Sequence, residues 1–362
     1  MRLVPAKPTP SRPDMAARFA HPEPSRQPRP PVFPVFLPQA GCPGRCLYCN
    51  QPAQTGQALL SATDAPLSDV LARARADVLA RPEAAGLVEL AFYGGTFTAL
   101  PAPWPERFLD LAAELRALGR VCRVRCSTRP DAVTPALLAD LRARGLDLVE
   151  LGVQSFQDAA LAASRRGYDG ATALGACRMV AEAGFSLGVQ LLPGLPGMSG
   201  PEGVEDFARD VAAVAGLAPG GTPELVRLYP CLVLEGTGLA ELWRAGAYAP
   251  WELPATVDAL ARALLSLWGA GVPAARVGLV EQAGLRILAG PRHPALGQMA
   301  RARALFLHVS GLLATLPTPA STLYVPPRWQ GEVLGQGNEL AKDYAGLGLK
   351  VELWAEAEFG LG

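Results

Sequence analysis

Three cysteines, Cys42, Cys46 and Cys49, fall within eight residues of one another in the run Gly41–Asn50, GCPGRCLYCN. Thiolates are soft ligands that suit zinc or iron–sulfur clusters. Structural zinc sites close with four protein ligands, commonly supplied as separated pairs of cysteines. Here three thiols crowd one loop with no evident fourth. That set suits three irons of a [4Fe–4S] cluster and leaves the fourth iron open to a small chelating ligand. Tyr48 offers an aromatic face beside the last cysteine. Zinc stays open as the alternative. Cys122 and Cys126 sit in another strand pattern, and Cys177 and Cys231 are isolated, so no second cysteine cluster is visible.

The elements that must position this loop can be read from the apolar pattern. The chain has 362 residues, half of them hydrophobic, enough for a sizeable core. Thirty-three basic residues balance thirty-three acidic ones, which excludes a chain held to nucleic acid by bulk charge. The only lysines are Lys7, Lys342 and Lys350, all near the ends, which argues against lysine catalysis. No secretory h-region and no uninterrupted apolar span are present, so a soluble, cytoplasmic protein without membrane contact is expected.

Residues 1–31 hold nine prolines and read as an irregular arm. From Val32, short apolar runs alternate with amphipathic helical segments. Strands are expected at Val32–Leu37, Leu87–Tyr93, Val121–Ser127, Leu146–Val153, Phe185–Leu192 and Leu225–Val233, with helices between them. Six strands separated by helices imply parallel β–α units with right-handed crossovers. The expected fold is therefore α/β: a (β/α)6 partial TIM barrel over 32–234, with a C-terminal helical cap or extension over 235–362.

Strand parity places Glu89, Tyr93, Arg123, Arg125, Glu150, Gln154, Gln190, Arg227 and Tyr229 on the lumen face. Buried charges need partners, so Arg123 and Arg125 are expected to pair with Glu89 or Glu150. In parallel barrels the ligand sits at the carboxyl ends of the strands.

The remaining motifs fall at those ends. Phe92–Phe97 (FYGGTF) closes the second strand, and its paired glycines allow close backbone approach to a ligand's amino group. Ser127–Asp131 (STRPD) ends the third strand, Gly152–Phe156 (GVQSF) the fourth, and Ser164–Tyr168 (SRRGY) follows. Gln190 precedes Leu191–Gly197 (LLPGLPG). There is no phosphate-loop lysine motif, HExxH, GxSxG elbow or GxGxxG after a strand.

With these motifs the chain resembles the radical S-adenosylmethionine (SAM) superfamily, in the branch holding the elongator catalytic subunit and the oxygen-independent coproporphyrinogen dehydrogenases. CNQ, FYGGTFTALP, STRPD, ELGVQSF and SRRGY bring it nearer the elongator side, and the likeness covers roughly Val32 to Met299. The resemblance implies a [4Fe–4S] cluster on Cys42, Cys46 and Cys49, with the methionine end of SAM at Gly94, Gly95 and Thr96. Gln154, Arg166 and Gln190 match cofactor-contacting positions of the coproporphyrinogen branch, where Arg166 would pair with the SAM carboxylate. The adjacent Arg165 shares that assignment, and for Gln154 and Gln190 hydrogen bonding within the lumen is the alternative. Ser127 falls where that branch has an acidic ligand, so a hydrogen bond would replace a charged contact.

The activity implied is reductive cleavage of SAM to a 5′-deoxyadenosyl radical that abstracts hydrogen from a substrate. It would need a low-potential electron donor of flavodoxin or ferredoxin type and would act on an RNA, as in tRNA modification. Acetyltransferase chemistry is not expected, because no domain of that size fits after the barrel. His293, in a Gly/Pro-rich turn, is a candidate for acting on substrate. The alternatives are a radical enzyme on a small metabolite, a haem-chaperone relative, and a metal-binding module without catalysis.

Overall fold

The computed structural model describes residues 15–24, 29–56, 64–217, 221–279 and 285–362. Residues 1–14 and 25–28 of the expected arm lie outside the described residues. In chain order the strands are β1 (Ala17–Phe19), β2 (Val32–Phe36), β3 (Val88–Tyr93), β4 (Val121–Thr128), β5 (Leu148–Gln154), β6 (Ser186–Leu191) and β7 (Leu225–Leu228). They continue as β8 (Val233–Leu234), β9 (Ala274–Val277), β10 (Ile287–Ala289), β11 (Thr322–Val325), β12 (Lys350–Leu353) and β13 (Phe359–Leu361).

Seven strands form one parallel sheet in the order β2-β3-β4-β5-β6-β7-β9. The strand order follows the chain order, as in a curled half-barrel of the partial TIM type. Helices between the strands cover the outer face. The helix Pro135–Ala143 shows the local logic: Thr134 Oγ1 accepts from Leu137 N at 3.3 Å, proline opens the helix, and Leu138 and Leu141 are buried. Gly145, at φ +89°, then turns the chain back towards β5.

The six-strand expectation is one strand short. β9 is the seventh, and its sequence, AARV, is too short and mixed to announce itself; pairing with β7 defines it. The expected strand Leu225–Val233 also splits. Pro230 lacks an amide donor, β7 ends before it, and Val233–Leu234 pairs instead with β10.

The compact units divide the chain differently from the expected boundaries at 31 and 234. One unit is Glu23–Gly297, which keeps β9 with the sheet. The other brings the described residues up to Pro22 together with Gln298–Gly362. In that smaller unit β1 lies antiparallel to β13, so this part of the arm is a strand. β11 sits between β13 and β12. Leu305 and Val309 of the helix Leu296–Thr315 pack there with Leu323, Tyr344 and Phe359. No helix among the described residues is long and apolar enough to cross a membrane.

The half-barrel has two chemically distinct faces. Outward residues Leu90, Phe92, Val149, Leu151, Val153 and Val189 are completely buried under the helices. The inward face is charged and still buried. Glu150 is fully buried, and its Oε1 pairs with Arg125 Nη2 while Oε2 lies 2.9 Å from Arg227 Nε. Arg125 also reaches Glu89 at 3.3 Å, and Arg123 pairs with Glu224 at 2.6 Å and with Glu89 at 3.8 Å. Tyr93 Oη donates to Glu150 at 3.1 Å. Gly188, the cross-strand partner of Glu150, makes room for it, since a Cβ there would sit 2.6 Å from Glu150 Cγ. Removing one partner of such a network strands the others in a low-dielectric interior. Glu150→Ala should therefore cost about 3–5 kcal/mol in urea unfolding, by leaving Arg125 and Arg227 without their shared carboxylate. A loss below about 1 kcal/mol would show that the arginines are already solvated.

Candidate active site

The loop after β2 carries the three cysteines and is clamped to the loop after β3. Leu37 N donates to Tyr93 O at 2.7 Å, and Thr96 N to Ala40 O at 2.8 Å. Gln51 Oε1 accepts from Gly95 N at 2.9 Å and from Gln39 N, so one side chain ties both loops. Gly95 has φ +68°, and a Cβ there would lie 2.2 Å from Ala40 O and 2.7 Å from Leu37 O. The second glycine is therefore demanded by packing against the cysteine loop. Thr96, fully buried, places its Oγ1 3.3 Å from Cys42 Sγ. Asn50 accepts from Ala53 N at 3.3 Å and donates to Glu235 O at 2.8 Å, fixing the chain just after Cys49.

Cys42, Cys46 and Cys49 line one wall of a cavity of about 540 Å³ at the carboxyl ends of the strands. Tyr48, Gly94, Gly95 and Ser127 line the same cavity, as do Gln154, Arg166 and Gln190. Thr96 instead sits behind Cys42. Sequence reasoning thus names residues from six separate segments that the fold gathers around one space. Tyr93, Arg227, Tyr229 and Arg276 contribute further lining from the sheet. His293 lies elsewhere, beside a pocket of about 40 Å³, where its Nδ1 accepts from Ala295 N at 3.1 Å.

Two of the thiols, Cys42 and Cys49, resist ionisation on their own. Burial raises Cys42, and burial together with Cys46 and Cys42 pushes the Cys49 thiol up to about 11. Compensating positive charge nearby favours the thiolate form of such groups. Arg166 supplies part of it, with Nη1 donating to Cys46 Sγ at 3.2 Å. Arg129, held by Asp131 at 2.7 and 2.9 Å, stands behind it. The Tyr48 hydroxyl is buried with no hydrogen-bond partner among the described residues, while its side chain lines the cavity. Cys122, Cys126, Cys177 and Cys231 do not line this space, and all seven cysteines are free. Among the described residues, no three His, Cys, Asp or Glu side chains are grouped to hold a single metal ion. A three-thiol wall, an adjacent guanidinium and an orphaned hydroxyl on a roomy cavity fit a cluster that keeps one iron for a second ligand.

Three supports were not evident from the sequence. Gln51 reads there only as the residue after Cys49–Asn50, and Arg129 with Asp131 only as part of a motif. Asp210 left a clearer signal: a carboxylate within the stripe Phe207, Val211, Val214 of the helix Gly200–Ala215. It is fully buried and accepts from Ser155 Oγ at 2.7 Å, Phe156 N at 2.8 Å and Gln157 Nε2 at 2.9 Å. These bonds secure the turn beyond Gln154, which holds φ +67°. Gln190 Nε2 donates to Ser127 Oγ and to Glu150 Oε2, both at 3.2 Å, joining the cavity wall to the charged lumen.

Two measurements test this scaffold. Gly95→Ala forces a Cβ into backbone carbonyls, so the cysteine loop should shift and iron incorporation on reconstitution should fall at least about tenfold. Unchanged iron content would remove the packing role. Burial pushes the Asp210 carboxyl from its ordinary 3.8 up to about 6, against the three hydrogen bonds that lower it. The folded chain thus holds this proton more tightly, and the stabilisation present below pH 3.8 is lost as pH rises through 6. The stability difference between wild type and Asp210→Asn should therefore change by about 3 kcal/mol across that window, a two-unit shift in free energy. A pH-independent difference would contradict it.

Comparison with known proteins agrees with this geometry. The Radical SAM superfamily model matches residues 36–211, and the Radical SAM C-terminal domain matches residues 223–305. The tRNA uridine(34) acetyltransferase of Methanocaldococcus infernus is 26% identical over 275 residues, covering 66% of this chain and 50% of that protein. Elongator complex protein 3 of Danio rerio is 29% identical over 194 residues, covering 49% and 34%. The chain thus spans half or less of the length of these relatives. The structure of Methanocaldococcus infernus Elp3 with an N-terminal deletion superimposes with a TM-score of 0.55 at 21% identity, covering 79% of this chain and 64% of that one, a likeness of fold. Cysteine loop, half-barrel and both family matches together place the chain in the radical SAM superfamily, as an enzyme similar in sequence to Elongator complex protein 3.

Proposed function

We propose that Cys42, Cys46 and Cys49 hold a [4Fe–4S] cluster whose fourth iron takes SAM, and that the enzyme abstracts hydrogen from a substrate in the lumen, in an RNA modification. The observation that carries this reading is the three-thiol wall on a 540 Å³ cavity, clamped to the glycine loop that would face the cofactor. When bound, cluster and SAM together supply a 5′-deoxyadenosyl radical by reductive cleavage of the sulfur–C5′ bond.

The chain's own residues position and shield that chemistry. Gly94 and Gly95 bring backbone to the cavity wall, and Thr96 steadies Cys42. Tyr48 would give its hydroxyl to the cofactor, the partner it lacks among the described residues. Gln154, Gln190 and Ser127 would contact SAM from the strand ends, while the buried ion network closes the lumen beneath it and keeps bulk water out. An RNA substrate is supported by the names of the relatives, tRNA uridine(34) acetyltransferase and Elongator complex protein 3. A low-potential flavodoxin or ferredoxin would donate the electron. A reducing cytoplasm suits seven free cysteines.

The test is anaerobic reconstitution followed by reduction and quantification of 5′-deoxyadenosine. Wild type should form it only with SAM and reductant, and Cys42→Ala should fall to background together with its iron content. Full turnover by Cys42→Ala would refute the assignment. A missing modified nucleoside in tRNA from a deletion strain is expected; an unaltered nucleoside profile would move the substrate to a small metabolite.

A further inference from the structure

The seven-stranded sheet does not close, so β2 and β9 are its two edges. Both edges line the same cavity, and each brings a different chemistry to it. From β2 come Val32, Pro34 and Phe36, alternate residues of one strand face. A proline is tolerated there because an edge strand has ladder partners on one side only. The Phe36 ring lies 6.4 Å from that of Tyr93, so this border is apolar and partly aromatic. From β9 comes Arg276.

Arg276 is the register partner of Arg227, and paired residues of neighbouring strands share a face of the sheet. The two differ in their partners. Arg227 Nε lies 2.9 Å from Glu150 Oε2, and its Nη1 donates to Tyr229 Oη at 3.0 Å. Arg276 is exposed and has neither a hydrogen-bond nor an ion-pair partner among the described residues. The charge of the whole lining points the same way. Arg129, Arg166, Arg227 and Arg276 line the cavity, and no Asp or Glu among the described residues does, in a chain of zero formal net charge. Asp131 balances Arg129, Glu150 balances Arg227, and Arg166 stands at the cysteine wall. Arg276 is thus the cation that the sheet leaves uncompensated.

We propose that Arg276 anchors the substrate by its phosphate: it grips the phosphate of a nucleotide whose base lies against Pro34 and Phe36 on the other edge of the sheet. The inference rests on the proposed function above and names the group by which the substrate is held. A guanidinium fork matches two phosphate oxygens at once, and aromatic faces stack bases of any sequence. A cationic cleft with low-dielectric walls also concentrates the field that draws an anion in. An exposed arginine suits a phosphate that keeps part of its hydration, as one within a strand does. A nucleotide of an RNA strand and a free nucleotide share this chemistry, and the experiment separates them.

The experiment is fluorescence anisotropy of a labelled single-stranded oligouridylate on the anaerobically reconstituted full chain, with iron content measured in the same samples. Unlabelled oligouridylate, uridine 5′-monophosphate and uridine serve as competitors. On wild type, the monophosphate should compete at least about tenfold better than uridine, which lacks the phosphate. Arg276→Gln should weaken oligouridylate binding about tenfold, and the slope of log affinity against log salt should become shallower by about 0.7, the share of one phosphate on a single strand. Arg276→Lys should bind within about threefold of wild type, because a lysine keeps the charge that a phosphate needs. Binding by Arg276→Gln equal to wild type in affinity and salt slope would overturn the proposal. Uridine competing as well as its monophosphate would overturn it too. If Arg276→Gln weakens binding, an unlabelled strand that competes far better than the monophosphate assigns the site to RNA, and equal competition assigns it to a free nucleotide; both keep the anchor. A wild-type chain that takes up no iron yet binds oligouridylate through Arg276 would bring down the cluster reading and leave the phosphate anchor standing.

Discussion

The site depends on how closely the glycine loop after β3 lies against the cysteine loop after β2. There is no room for a side-chain carbon at Gly95, and at Gly41 one would meet Thr96 O at 2.4 Å. Gln51 bonds across the junction, and Thr96 reaches from one loop to the first thiol of the other. Once this contact is made, the three sulfurs can face only one way, onto the cavity at the strand ends. Two irregular loops thereby gain the rigidity that a metal centre requires of its supports.

Beneath the cavity the sheet solves a different problem. A half-barrel with a packed apolar lumen would have no room for a ligand, whereas an open polar one would admit water. Here the lumen is filled by paired charges, with Glu150 shared between Arg125 and Arg227, and Tyr93 closing the ring. Such a network gives little net stability, because desolvation offsets the attraction. What it provides is a shaped, fixed floor, joined to the ligand cavity through Gln190. Stability comes from the other face of the same strands, where Phe92 stacks on Phe97 at 4.9 Å and packs with Phe108.

The sequence made the half-barrel legible because strand and helix periods alternate cleanly from Val32 to Ala215, and because caps such as Thr134 mark where elements begin. The lumen charges followed from strand parity alone, including the pairing of Arg125 with Glu89 and Glu150. β9 did not show, since four residues of mixed polarity carry no period. Nor did the pairing of β1 with β13, which joins residues more than 300 apart in the chain. At the site, the cysteines and glycines announce themselves by type and spacing. Gln51 and Asp210 do not, because each is settled by a tertiary contact: a hydrogen bond across two loops and a buried helix face.

The account stands on a cluster held by three protein sulfurs with one iron free for the adenosyl cofactor. Mössbauer spectroscopy of the ⁵⁷Fe-reconstituted, anaerobic protein examines that iron itself. On adding SAM, one iron subsite should change its isomer shift and quadrupole splitting while the other three stay as they were. Four irons unaltered by SAM, or a centre with a protein ligand on every metal, would contradict the account.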